Sequence, residues 1–130
     1  ETAKVFGNYY GTLKSEFNRN KKKIILLDVD WQGARKIRKK IKDNCFSIFL
    51  LPPNISELKK RLLKRHKNDK SIAFKRISYA KKDIKHWKEY DYALINDNIS
   101  ICLKEILNKI RYILEEKKQK ITISKFIKNF

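Results

Sequence analysis

Apolar residues in this chain follow two rhythms. KIILLDVD (23–30), CFSIFLL (45–51) and YDYALIN (90–96) hold near-continuous apolar runs. Runs of β-branched, leucine and aromatic residues suit strands covered on both faces, and Pro52 and Pro53 close the second. Elsewhere the spacing shifts to threes and fours. Ala34, Ile37 and Ile41 recur in WQGARKIRKKI (31–41), and Leu58 and Leu62 in NISELKKRLLKRH (54–66). From Ser71, Ala73, Ile77, Ala80, Ile84 and Trp87 form a third stripe. Cys102, Ile106, Ile110 and Ile113, with Leu103, Leu107 and Leu114, form a fourth. That period describes one face of a helix. Asn54 with Glu57 three residues on reads as a capping box, and Asn98 or Ser100 caps the last helix. KNDK (67–70) is a loop, and the tail from Glu115 is expected to be partly helical or loosely attached.

Strand and helix alternate three times. This predicts an α/β fold, a parallel sheet with right-handed crossovers and flanking helices. Ligands of such sheets lie beyond the carboxyl ends of the strands. Those ends carry Asp28 and Asp30, then Pro52 and Pro53, then Asn96 and Asp97.

At 130 residues this is one domain or part of a larger one. The net charge of +19 suggests phosphate-bearing partners. Yet 26 Lys stand against 7 Arg, beside 18 Ile and 10 Asn, spread evenly along the chain. That is a compositional bias rather than a basic stripe, so nucleic acid is not the expected partner, and the few arginines are the informative cations. Cys45 and Cys102 lack metal-site spacing and read as reduced apolar side chains. No run is long enough to span a bilayer and none reads as a signal peptide; the expected location is the cytoplasm.

An apolar strand ending in Asp28 fits a carboxylate that supports Mg²⁺ through its waters; the alternative is a cap or a solvated acid. Arg61 and Arg65 lie four apart on one helix, and Arg76 follows across the polar loop. Three guanidiniums around a mobile hairpin suit a transferring phosphoryl group. The plain alternative is surface ion pairing, Arg61 with Glu57. His66 and His86 show no partner and read as surface residues, Trp31 and Trp87 as core or half-buried covers, and Tyr9 as packing.

ETAKVFGNYYGT, LLDVDWQGARKIRKK, FLLPPNISELKKRLLKR and EYDYALIND, in this order and spacing, resemble guanylate kinase over residues 1–115. The resemblance implies a P-loop nucleoside-monophosphate-kinase-like parallel sheet, present in part. Residues 1–15 would end the GMP-binding region, 16–54 form core, 55–75 the lid region, and 76–130 core plus a basic tail. ATP and GMP would be the substrates, with Mg²⁺ accompanying ATP and no membrane partner. Glu1 would accept bonds from the guanine, Thr12 would lie near the base, Tyr10 would bind the GMP phosphate, and Gly7 and Gly11 would let the backbone turn beside the nucleotide. Asp28 would support the metal through water and Asp30 would lie beside GMP and metal. Arg61, Arg65 and Arg76 would be catalytic, contacting ATP phosphates, and Asn96 would lie near the adenine. Two departures stand out. The family lid continues as Arg-Gly and, after one residue, Asp; here His66 and Asn68 occupy those positions. No GxxxxGK[ST] occurs, so the P-loop is expected upstream of Glu1, and residues 1–130 alone are expected to be inactive. The alternative is a guanylate-kinase-like binding module without catalysis; a basic nucleic-acid binder is a third class.

Overall fold

The computed structural model describes residues 2–5, 8–11, 15, 24–42 and 45–128. The chain forms two compact units, residues 1–94 and 95–130.

In the first unit, β1 (Thr2–Val5) and β2 (Asn8–Gly11) pair antiparallel, with Thr2 opposite Gly11 and Ala3 opposite Tyr10. Gly11 is the last residue of β2, and Gly7 lies outside the described residues. Helix α1 (Trp31–Ile41) lies against β1 and buries Gly33, Ala34 and Ile37, while Ile41 is half-buried. Asp30 caps it. Its carboxylate accepts the Gly33 N–H at 2.9 Å, satisfying one of the donors a helix start leaves open.

The expected strand at 23–30 is not formed: residues 24–30 belong to neither sheet. A strand is held by ladder partners, and none of the described residues supplies them. Ile24 and Leu26 are 60% and 80% exposed. The other two runs do become strands, β3 (Ile48–Leu51) and β4 (Tyr92–Ile95), neighbours in a small parallel sheet. The α/β class therefore stands, with two of its three expected strands. Phe49 meets Tyr90 edge-on, centroids 4.9 Å apart.

The crossover from β3 to β4 runs through α2 (Ile55–Arg65), α3 (Lys70–Asp83) and a 3₁₀ helix (Ile84–Glu89). Asn54 caps α2 as expected, accepting the Glu57 N–H at 2.8 Å. The Glu57 carboxylate instead takes the Arg61 guanidinium. At the end of α2 the Asn68 N–H bonds the Leu63 carbonyl at 2.8 Å, while Lys67 and Asn68 turn left-handed at φ 50° and 67°. This is a Schellman closure with lysine where glycine is usual. Asp69 then caps α3 through the Ile72 N–H at 3.1 Å, so the loop spans 66–69, one position earlier than expected. Ala73 and Ile77 are the buried part of the α3 stripe. The stripe fails at Ile84 and Trp87, 43% and 44% exposed. The backbone tightens there to three residues per turn, which rotates later positions off the face.

In the second unit Asn98 supplies the cap, its side chain accepting the Ser100 and Ile101 N–H groups at 2.9 and 3.1 Å. Helix α4 then runs from Ile99 to Lys128, so the tail is helical as far as it is described. Neither cysteine is in a disulfide.

Candidate functional site

The start of α1 carries two carboxylates of different status. Asp30 is half-buried and engaged, accepting from Gly33 through Oδ1 and from the Gln32 amide through Oδ2 at 3.1 Å. Asp28 is exposed and has no partner among the described residues. An uncommitted carboxylate is available to a hydrated cation; a capping one is already fixed in place. Among the described residues no three His, Cys, Asp or Glu side chains converge as a metal cage.

The α2–α3 hairpin carries the three arginines. Arg61 donates through Nε to Glu57 Oε1 at 2.9 Å, the plain ion pair that the sequence allowed. Arg65 ends α2, exposed and with no ion-pair or hydrogen-bond partner among the described residues. Arg76 is half-buried on α3, in the face that also carries Ala73, Ala80 and Asp83. The three therefore differ in setting: Arg61 is paired, Arg65 exposed and Arg76 half-buried.

α1 and α3 are tied at their ends. The Trp31 indole N–H donates to Asp83 Oδ1 at 3.1 Å, and its ring stacks on His86, centroids 3.8 Å apart and planes 10° from parallel. Glu89 completes the junction. Its Oε1 lies 2.5 Å from Arg35 Nη2 and 2.6 Å from His86 Nδ1, its Oε2 accepts from Arg35 Nε at 3.0 Å, and its backbone carbonyl accepts from Arg38. Arg35 first, then His86, hold the Glu89 carboxyl down to about 2 from its ordinary 4.5. Hydrogen bonding to Glu89 raises Arg35 in turn. Tyr90, beneath the Arg38 guanidinium at 4.9 Å, is pushed up by burial. Buried Ser47 is fully used: its N–H and hydroxyl both meet Asp91 Oδ2 at 2.7 Å.

His86 is thus no isolated surface residue, and Trp31 is the half-buried cover expected, while Trp87 is exposed. Sequence reading missed the Glu89 junction. Its arginine partners lie 54 and 51 residues away, and only the crossover brings them together. Tyr10 lies in β2 opposite Ala3; Glu1 and Thr12 lie outside the described residues. Asn96 follows β4 at the start of the second unit, half-buried.

A family model for guanylate kinase matches residues 1–117. The chain is 44% identical over 113 residues to the guanylate kinase of Buchnera aphidicola subsp. Baizongia pistaciae, covering 85% of this chain and 54% of that one. It is 47% identical over 107 residues to the guanylate kinase of Francisella tularensis subsp. tularensis, covering 81% and 56%. The crystal structure of guanylate kinase from Anaplasma phagocytophilum aligns with a TM-score of 0.71 at 33% identity, covering 86% of this chain and 54% of that chain. The chain spans about half the length of the curated relatives it matches.

Proposed function

The chain belongs to the guanylate kinase family, and from that premise we propose that the protein transfers the γ-phosphoryl group of ATP to GMP, giving ADP and GDP. The match over residues 1–117 carries this reading. A GMP phosphate oxygen attacks the γ-phosphorus in line, and the bond to the β,γ-bridging oxygen breaks, leaving its electrons on ADP. No covalent enzyme intermediate is needed; alignment and charge neutralisation do the work.

Each residue has a role in this scheme. Glu1, Tyr10 and Thr12 hold GMP by base and phosphate, with Asp30 beside it. Arg61, Arg65 and Arg76 neutralise the moving phosphoryl charge, and Asn96 lies near the adenine. Mg²⁺ enters with ATP. The exposed carboxylate of Asp28, with no partner among the described residues, suits an ion that keeps most of its waters. The setting of Arg65, charged, exposed and with no partner among the described residues, suits a lid cation that meets its target on closure. No described helix is long and apolar enough to cross a membrane, and the reaction belongs in the cytoplasm.

The guanine site is tested through Glu1. A carboxylate accepts the paired donors of guanine, which adenine lacks. Losing a charged hydrogen bond costs about 1.5–3 kcal/mol, so Glu1→Ala in the full-length protein weakens GMP binding at least about tenfold by calorimetry. AMP binding stays weak in both forms. Unchanged GMP affinity and selectivity remove Glu1 from the site. GMP binding without GDP formation favours a binding module over a kinase.

A further inference from the structure

Arg76 and Asp83 are seven residues apart on α3. Seven residues make nearly two full turns, so the two side chains leave one face of the helix, about 10 Å apart along its axis. Exposure agrees. Ala73 is buried and Arg76, Ala80 and Asp83 are half-buried, while residues 74, 75, 78, 79, 81 and 82 are exposed. Asp83 holds the indole N–H of Trp31 at 3.1 Å across 52 residues of sequence. Trp31 is the first residue of α1, next to the capping Asp30 and three beyond Asp28. Its ring has little freedom, stacked on His86 and lying 4.8 Å from the Arg35 guanidinium. One hydrogen bond therefore ties the α3 face that carries Arg76 to the first residue of α1, beside Asp30 and three positions after Asp28.

We infer that the Trp31–Asp83 bond is a positioning device, setting the Arg76 face of α3 against the Asp28–Asp30 segment so that guanidinium and carboxylates meet the phosphoryl group in one fixed arrangement. This rests on the reading above, which gives Arg76 to the ATP phosphates and the two acids to metal and GMP. Neither Trp31 nor Asp83 touches substrate in this scheme; both act through the groups they hold. Misplacing a charge by a fraction of a turn leaves ground-state binding nearly intact and weakens the contacts made in the transition state.

The test is steady-state kinetics on the full-length protein with ATP, GMP and Mg²⁺. Trp31→Phe keeps an aromatic ring for stacking and loses the N–H donor; Asp83→Ala loses the acceptor; Asp83→Asn keeps an acceptor oxygen. Trp31→Phe and Asp83→Ala are expected to lower kcat about tenfold, the scale of one hydrogen bond. KM for ATP and GMP should stay within about twofold. Asp83→Asn restores turnover, and the double variant Trp31→Phe/Asp83→Ala is no slower than either single one. Melting curves set the folded fraction, and should Asp83→Ala fail to fold, Trp31→Phe decides. Normal kcat per folded molecule with a lowered Tm overturns the inference and leaves a purely structural tie. A larger change in KM than in kcat overturns it as well. Wild-type protein that forms no GDP removes the proposed reaction itself, an outcome distinct from an active wild type with unaffected variants.

Discussion

Glu89 holds Arg35 and His86 with its carboxylate and Arg38 with its carbonyl, and the pH dependence of that junction follows from its acidity. Its folded value, about 2, lies below the ordinary 4.5. A depressed carboxyl favours the folded state fully above the unfolded value and loses that contribution as pH falls toward the folded one. The contribution is therefore whole above about pH 4.5 and fades between 4.5 and 2. Glu89→Gln should be less stable than wild type at pH 7, and urea unfolding should show the gap closing through that window. A gap that stays constant from pH 7 to pH 2 would mean the charge on Glu89 does not stabilise the fold. At the same scale, the exposed Arg65 and half-buried Arg76 should govern turnover more than binding. Replacing either with Ala should lower kcat by roughly 10²-fold, the effect of removing one preorganised donor, with GMP affinity little changed. Near-normal kcat in both variants would make the two arginines structural.

The α2–α3 hairpin carries its own strain. Lys67 and Asn68 sit consecutively in the left-handed region, which costs a residue with a Cβ about 1–2 kcal/mol. Asn tolerates it better than Lys. Lys67→Gly removes the penalty, offset in part by the greater freedom of glycine in the unfolded chain. In the full-length protein a rise in Tm of about 2 °C is expected on calorimetry; a fall would show that the lysine side chain contributes more than its backbone costs. This scale also shows what the sequence conveyed. Asn54 was legible as a cap because the signal is local, three residues long, with its polar group beside the donor it satisfies. Ala73 and Ile77 were legible because the α-helical period holds across them. Ile84 and Trp87 were not, because nothing in the spacing marks a change from 3.6 to three residues per turn. Residues 24–30 have the composition of a buried strand, but composition specifies a preference and a ladder needs a neighbour. The Glu89 junction was illegible for a related reason: a long-range ion pair has no period. Of the candidate site, the arginines were legible by type and spacing. Their different settings came only from the fold.

For the whole molecule, the buried apolar positions among the described residues are few: Ala34, Ile37, Ala73, Ile77 and Cys102. Ile24 and Leu26 stay exposed in a run suited to an interior strand. Domain stability is only about 5–15 kcal/mol, and each interior backbone group left unpaired costs about 1–3 kcal/mol. Residues 1–130 expressed alone should therefore melt without a cooperative transition and form no GDP, since their sequence also lacks a phosphate-cradling GxxxxGK[ST]. A cooperative melt accompanied by GDP formation would show that these residues suffice for fold and chemistry.

The central claim is transfer of a phosphoryl group to GMP, and ³¹P NMR of the full-length protein with ATP, GMP and Mg²⁺ tests it most directly. ADP and GDP should appear in equal amounts as ATP and GMP decline together, with no free phosphate and no comparable reaction when AMP replaces GMP. ATP consumed to ADP and inorganic phosphate, or an unchanged spectrum at high protein concentration, would contradict it.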